Sequence, residues 1–260
     1  MTRIKICGLR DPQHARIALD AGADMLGVVF AESPRQATVE QGRALRALIG
    51  PRIELFESNT AAFDTAMDRA ERPLLVGVFA RQSADEINRV AAAVDLDVIQ
   101  LSGGEHPDLV GRLTRPAIRV HHVGADAEIE ALRRRVRQQP AAVVALEAES
   151  AQGGGSGQRF DWDLAATIAQ ATPIMLGGGL RPDNVAEAIT TVLPWAVDVS
   201  SGVEVEKGIK SPDLIRAFIR NAREALASNP PPAGQASNPP PAGQASNPPP
   251  AGQAMAGDRP

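Results

Sequence analysis

The chain has 260 residues, a formal net charge of −4 and a pI near 5.6, a balance that gives no basis for nucleic-acid binding or for attraction to an acidic membrane surface. Its single cysteine excludes an intramolecular disulfide, and no apolar run is long enough to span a bilayer. The first six residues lack the apolar centre of a signal peptide, so the expected location is the cytoplasm.

Hydrophobic residues make up 43% of the chain, enough for a core, and they fall in two alternating patterns. Short β-branched runs predict strands at residues 3–7, 24–30, 74–79, 97–101, 117–122, 141–146, 173–177 and 196–200. Longer amphipathic stretches predict helices near residues 11–21, 38–49, 83–93, 105–114, 125–138, 161–170, 181–190 and 211–226. Asp11-Pro12 and Ser211-Pro212 each place a capping residue before a proline at the first helical position. Eight strand–helix units within residues 1–227 predict an α/β fold, a closed (β/α)8 TIM barrel. A doubly wound open sheet is the structural alternative. From Ser228 the segment Ser-Asn-Pro-Pro-Pro-Ala-Gly-Gln-Ala occurs three times in tandem. Proline triplets neither continue a helix nor enter a central strand, so residues 228–260 are expected to form a disordered tail with no catalytic role.

A parallel barrel gathers its functional residues at the C-terminal ends of its strands. Those ends carry Cys7, Phe30 to Arg35, Phe79, Gln100 to Ser102, His121, Glu147, Gly178-Gly179 and Ser200-Ser201-Gly202. The last two are loops of small residues after consecutive strands, where bare backbone amides can approach an anion; they predict a phosphate site. Cys7, at a strand tip, is a buried small hydrophobe or a reactive thiol. Lys5 shares its facing and could supply the positive charge that a thiolate needs. Arg35 suits bidentate recognition of a carboxylate. Glu147, with Glu149 two residues on, is a candidate acid if a partly apolar setting raises its pKa. Gly153-Gly154-Gly155-Ser156-Gly157 reads as a flexible lid or a backbone donor site. His121 and His122 are adjacent and point to opposite faces, and without clustered carboxylates or cysteines neither is expected to hold a metal.

These stretches occur in a combination that resembles one family. Lys5-Ile6-Cys7-Gly8-Leu9, Gly27-Val28-Val29-Phe30 with Ser33-Pro34-Arg35, Val76-Gly77-Val78-Phe79, Gln100-Leu101, Gly154-Gly155-Ser156-Gly157 with Phe160-Asp161-Trp162, Gly178-Gly179-Leu180 with Asn184-Val185, and Asp198-Val199-Ser200-Ser201-Gly202-Val203-Glu204 resemble, in order, the phosphoribosylanthranilate isomerases. The resemblance implies an Amadori rearrangement in tryptophan biosynthesis, with Cys7 as general base and Arg35 binding the anthranilate carboxylate. It implies substrate contacts from Gln100, Gly178, Gly179, Asp198, Ser200, Ser201 and Gly202, with the phosphate on the two small-residue loops. No metal or redox cofactor is implied, and the partner is a small phosphorylated substrate bound by a monomer or homodimer. The family's general acid is an aspartate after the sixth strand; counting back from the Gly-Gly-Ser-Gly loop puts Glu147 there. Ser102 stands where the family commonly has histidine, and residues 50–73 look longer than the family's connection, with a helical stretch around Phe63 to Ala70. These departures leave two alternatives beside the isomerase: a paralogue acting on a related phosphoribosyl-amine, and an inactive phosphosugar-binding barrel.

Overall fold

A computed structural model describes residues 2–55, 59–124, 126–138, 141–148 and 161–228. Eight parallel strands close on themselves: β1 (Arg3–Ile6), β2 (Met25–Val29), β3 (Leu74–Phe79), β4 (Val98–Leu101), β5 (Ala117–Val123), β6 (Val143–Ala148), β7 (Ile174–Leu176) and β8 (Ala196–Val199). Each pairs with its neighbours in sequence, and β1 pairs with β8 to shut the barrel. Around it run α1 (Pro12–Asp20), α2 (Val39–Ile49), α4 (Ala84–Val94), α5 (Ile129–Gln138), α6 (Trp162–Ala169), α7 (Val185–Val192) and α8 (Pro212–Ser228), while α3 (Thr60–Ala70) lies within the β2–β3 connection. The expected TIM barrel is present. Of the expected tail, Ser228 closes α8, and the remainder lies outside the described residues.

Alternation along each strand divides the core in two. Ile4, Ile6, Leu26, Val28, Leu75, Leu146, Leu176 and Val197 pack outward against the helices. Met25, Val76, Val98, Ile118, Val120, Ala145, Met175 and Ala196 fill the lower interior. Caps fix the helix starts: Asp11 accepts the Gln13 N–H, while Thr38 and Ser83 each form a capping box.

One expected helix changes, and the helical stretch expected around Phe63 to Ala70 is present. The stretch expected as a helix at 105–114 is a 3₁₀ segment, Pro107–Arg112, with no buried residue. Leu109, Val110 and Leu113 pack only partly buried against the core, and Pro107 and Gly111 within the stretch disfavour a longer helix. The long connection after α2 forms α3, which covers the N-terminal end of the barrel. Phe63 and Met67 are buried with the lower interior residues, and the Phe63 ring meets Trp195 edge-on with centroids 6.2 Å apart. Arg3 at the start of β1 binds Asp64 at 2.7 Å and Asp68 at 2.9 Å on this helix, and Asp24 at 3.4 Å. The floor is therefore sealed by one extra helix, and the mouth lies at the opposite end. Phe63→Ala opens a cavity under the barrel and is expected to lower unfolding free energy by about 3 kcal/mol. Chemical denaturation checks this, and the Michaelis constant is expected to stay within about twofold because the mouth is untouched.

Candidate active site

The interior face of the strands turns polar towards the mouth. Lys5 on β1 and Asp198 on β8 are register partners, and Lys5 Nζ donates to Asp198 Oδ2 at 2.8 Å with both side chains buried. Cys7 continues the Lys5 face just past β1, and its N–H donates to the Val199 carbonyl at 2.8 Å. Its thiol packs with Val29, Ala31 and Val78, an apolar wall at the mouth. Across the barrel, Glu147 on β6 is the register partner of His122 on β5. A ring hydrogen bond joins His122 Nε2 to the Ser102 carbonyl at 3.0 Å, and the Gln100 amide donates to Ser102 Oγ at 3.2 Å. His121 lies on the other face, where burial and the nearby Arg135 and Arg119 hold its pKa down to about 4.

The buried ion pair sets the electrostatics of the mouth. Burial opposes the Lys5 charge, but Asp198 and the Cys7 sulfur together outweigh it and the ammonium is held firmly protonated. Burial also pushes the Cys7 thiol up; Lys5 and Lys210 pull it down and Asp198 pushes it up again. The cation expected from Lys5 is in place, yet the net shift is upward, because desolvation of a thiolate exceeds the help from a lysine already paired. Glu147 is raised by burial and by Asp198, against smaller opposing effects of His122 and Lys5. Glu149 lies outside the described residues, as does the glycine-rich loop 153–157.

Arg35, after β2, is almost fully buried. Its Nε and Nη2 donate to the two oxygens of Glu204 at 2.7 and 2.9 Å. Glu204 opens a hairpin of β9 (Glu204–Glu206) and β10 (Ile209–Lys210). It also receives Lys210 Nζ at 2.8 Å and the Gly208 N–H at 3.1 Å, donors that overcome burial and hold its pKa near 2.

The two small-residue loops meet backbone to backbone. Gly178 and Gly179 have φ of 80° and 71°, a region that L side chains avoid, and a Cβ at Gly178 would come within 2.5 Å of the Ala148 nitrogen. A Cβ at Gly202 would overlap the Leu180 carbonyl oxygen. Asn184 braces the first loop, donating to the Gly179 carbonyl at 3.0 Å and accepting the Arg181 N–H at 2.8 Å. With its side chain so committed it makes no cap bond, and α7 begins at Val185 rather than at 181.

The structure thus brings Cys7, Glu147, Gln100 and Asp198 to one interior surface, with Arg35 and the Gly178–Gly179 and Ser200–Gly202 loops at its rim. The sequence did not single out Glu204 as the partner of Arg35, Lys210 at the rim, or His122 beside Glu147. Period-2 alternation across β5 and β6 would have placed His122 inside; Lys210 left no comparable signal. Among the described residues no group of three or more His, Cys, Asp or Glu could hold a metal ion, and no helix is long and apolar enough to cross a membrane.

Fold and site together define a class: a (β/α)8-barrel enzyme with a thiol and a carboxyl at the C-terminal ends of its strands. The profile of the family described as N-(5'phosphoribosyl)anthranilate (PRA) isomerase matches residues 54–221. The N-(5'-phosphoribosyl)anthranilate isomerase of Roseiflexus castenholzii is 40% identical over 223 residues, covering 85% of this chain and 98% of its own. The solved phosphoribosyl anthranilate isomerase of Thermotoga maritima is 32% identical with a TM-score of 0.72, covering 86% of this chain and 100% of its own. A solved isomerase in complex with reduced 1-(o-carboxyphenylamino)-1-deoxyribulose 5-phosphate is 30% identical with a TM-score of 0.69, at the same coverage. The chain belongs to the N-(5'-phosphoribosyl)anthranilate isomerase family.

The balance around Cys7 is open to measurement. Alkylation by iodoacetamide, followed by intact-mass spectrometry, is expected to be slow near neutral pH and to accelerate as pH rises towards the raised thiol pKa. Lys5→Met removes the cation favouring the thiolate and leaves Asp198 unpaired, so both changes raise that pKa further and slow the reaction at about pH 8.5. An equal or faster reaction in a folded variant would show that Lys5 does not govern the thiol.

Proposed function

We propose that this protein catalyses the Amadori rearrangement of N-(5-phosphoribosyl)anthranilate to 1-(2-carboxyphenylamino)-1-deoxyribulose 5-phosphate, with Glu147 as general acid and Cys7 as general base. The observation that carries the assignment is that two residues far apart in the chain face the same barrel interior and share Lys5 and Asp198 as electrostatic neighbours. Their environments suit the two roles. Burial and the Asp198 charge favour the protonated form of Glu147, so it can deliver a proton to the furanose ring oxygen. The ring C1–O bond breaks and the nitrogen lone pair forms a Schiff base at C1. The cationic Schiff base acidifies the C2 proton. It also supplies positive charge next to Cys7, which favours the thiolate where the protein's own cations fall short. Cys7 takes the C2 proton, and the resulting enolamine tautomerises to the C2 ketone. Glu147 gives one proton and Cys7 takes one, the C1–O electron pair leaves with the ring oxygen, and oxidation at C2 is balanced by reduction at C1 within the substrate, so the scheme draws on no metal or redox cofactor.

The same assignment gives the phosphate to the backbone around Gly178, Gly179, Ser200, Ser201 and Gly202. The close loop contact at Gly202 supports it, because a rigid pair of backbone segments holds its amides without side-chain entropy. Arg35 takes the anthranilate carboxylate. Asp198 Oδ1 and Gln100 Oε1 are buried acceptors without a hydrogen-bond partner among the described residues, which suits them to substrate hydroxyls. The protein works in the cytoplasm as a monomer or homodimer, with no nucleic-acid or membrane partner.

Glu147→Gln is expected to lower kcat by about a hundredfold or more with a small change in KM, and Cys7→Ser by more still, since a hydroxyl is a far poorer base. Loss of phosphoribosylanthranilate fluorescence is the assay. Glu147→Asp is expected to keep or raise activity; a large loss would mean that the longer arm is fitted to a different phosphoribosyl-amine. A silent Glu147→Gln beside an inactive Glu149→Gln would move the acid to Glu149.

Residues 1–227 form the catalytic unit in this proposal. A chain ending at Ser228 is expected to keep both its melting temperature and its turnover; a marked loss of either would give residues 229–260 a part in the fold or the reaction.

A further inference from the structure

One ion cluster at the rim joins the segments assigned to the two ends of the substrate. Lys210 is buried, and its ammonium meets three acceptors: the Ser200 carbonyl at 2.9 Å, Ser200 Oγ at 3.3 Å and Glu204 Oε1 at 2.8 Å. An ammonium has three N–H donors, so all of them are directed at the protein. A lysine beside a phosphate loop ordinarily reads as a phosphate ligand; this one is committed elsewhere. Glu204, its neighbour, holds one edge of the Arg35 guanidinium and leaves Nη1 outside the pair. The cluster converges at the end of β1 because Gly8 has no side chain: a Cβ there would lie 2.9 Å from Arg35 Cδ, 3.1 Å from Ser200 Oγ and 3.3 Å from Lys210 Nζ. Arg10 strengthens the junction, donating to the Gly208 and Pro34 carbonyls, each at 3.3 Å.

We propose that Lys210 and Glu204 are positioning residues, Lys210 orienting the Ser200–Ser201 peptide of the phosphate loop and Glu204 presenting Arg35 to the substrate carboxylate, so that one hairpin sets both ends of the site. The first half follows from peptide geometry. A trans peptide is planar, with its C=O and N–H pointing opposite ways. Fixing the Ser200 carbonyl on Lys210 therefore sends the Ser201 N–H away from the lysine. The Val203 N–H, 3.4 Å from the same carbonyl, holds it from a second side. The second half follows from the fork: with Nε and Nη2 bound, rotation about the last side-chain torsions stops, and Nη1 with the second hydrogen of Nη2 forms a fixed edge for a carboxylate.

This inference rests on the phosphate and carboxylate assignments proposed above, and the test separates it from them. Inorganic phosphate and anthranilate serve as competitive inhibitors, each probing one end of the site in the full-length protein. In Lys210→Met, KM and the inhibition constant for phosphate are expected to rise on the order of tenfold, the worth of one well-placed hydrogen bond, while the anthranilate constant stays within about threefold. In Glu204→Gln the anthranilate constant is expected to rise as well. A merely structural lysine would weaken both probes alike or neither, and either result in a folded Lys210→Met overturns the proposal. If Lys210→Met does not fold, the double variant Lys210→Met/Glu204→Gln removes both charges of the buried pair and is judged by its phosphate constant. No inhibition of the wild type by phosphate would overturn the phosphate assignment and this proposal with it. Inhibition of the wild type with an unchanged constant in the variants overturns this proposal alone.

Discussion

A lysine and an aspartate face each other inside the barrel, across the seam where the last strand meets the first. Burying two charges is costly, and the 2.8 Å contact between Lys5 and Asp198 offsets the cost only while the pair is intact. The register of β1 against β8 and the ionisation of the mouth are therefore linked. A slip of β1 by one residue along that seam would turn Lys5 into the apolar layer beneath the helices, leave Asp198 inside without its partner and take Cys7 off the interior face. The same pair acts on both proposed proton-transfer groups, Asp198 favouring the neutral form of Glu147 and Lys5 favouring the charged form of Cys7.

The molecule separates stability from chemistry along the barrel axis. The lower interior is apolar and closed by α3, with Arg3 binding three aspartates at the rim of the floor. Nearby, the buried Asp97 carboxylate accepts the Leu75 and Ile53 N–H groups and Arg46, each at 2.6 Å, and so satisfies one backbone donor on β3 and one in the connection after α2. The upper interior is polar and lined by groups with shifted pKa values. Arg3 and Arg46 at the floor are paired with carboxylates; Gln100 Oε1 and Asp198 Oδ1 at the mouth are buried acceptors without a hydrogen-bond partner among the described residues.

Much of this was legible in the sequence because its signals are local. Period-2 runs and capped amphipathic stretches marked each strand and most helices. The strand-end rule then placed Cys7, Arg35 and Glu147 at the mouth without knowledge of their partners. What escaped were contacts that exist only after closure. Glu204 lies 169 positions from Arg35, so no spacing in the chain announces that pair. Lys210 sits on a strand of two residues, too short to show alternation. The upward shift of Cys7 was missed for a different reason: sequence shows that Lys5 is near, but not how deeply the thiol is buried nor that Asp198 already pairs with the lysine. The 3₁₀ segment Pro107–Arg112 shows the limit of an apolar pattern, since Leu109 and Val110 reach the core only partly and Gly111 follows them.

The closed floor also gives the protein a built-in optical asymmetry. The sequence contains no tyrosine and two tryptophans. Trp195 lies at the bottom, edge-on to Phe63, with its indole N–H shared between the two oxygens of Asp64 at 3.2 Å. Trp162 begins α6, at the end of the barrel where β6 delivers Glu147, and is buried. Intrinsic emission therefore comes from one indole at each pole. A Trp→Phe replacement at either site would leave a single-chromophore protein, in which loosening of the floor and rearrangement of the mouth are read as separate signals from the same barrel.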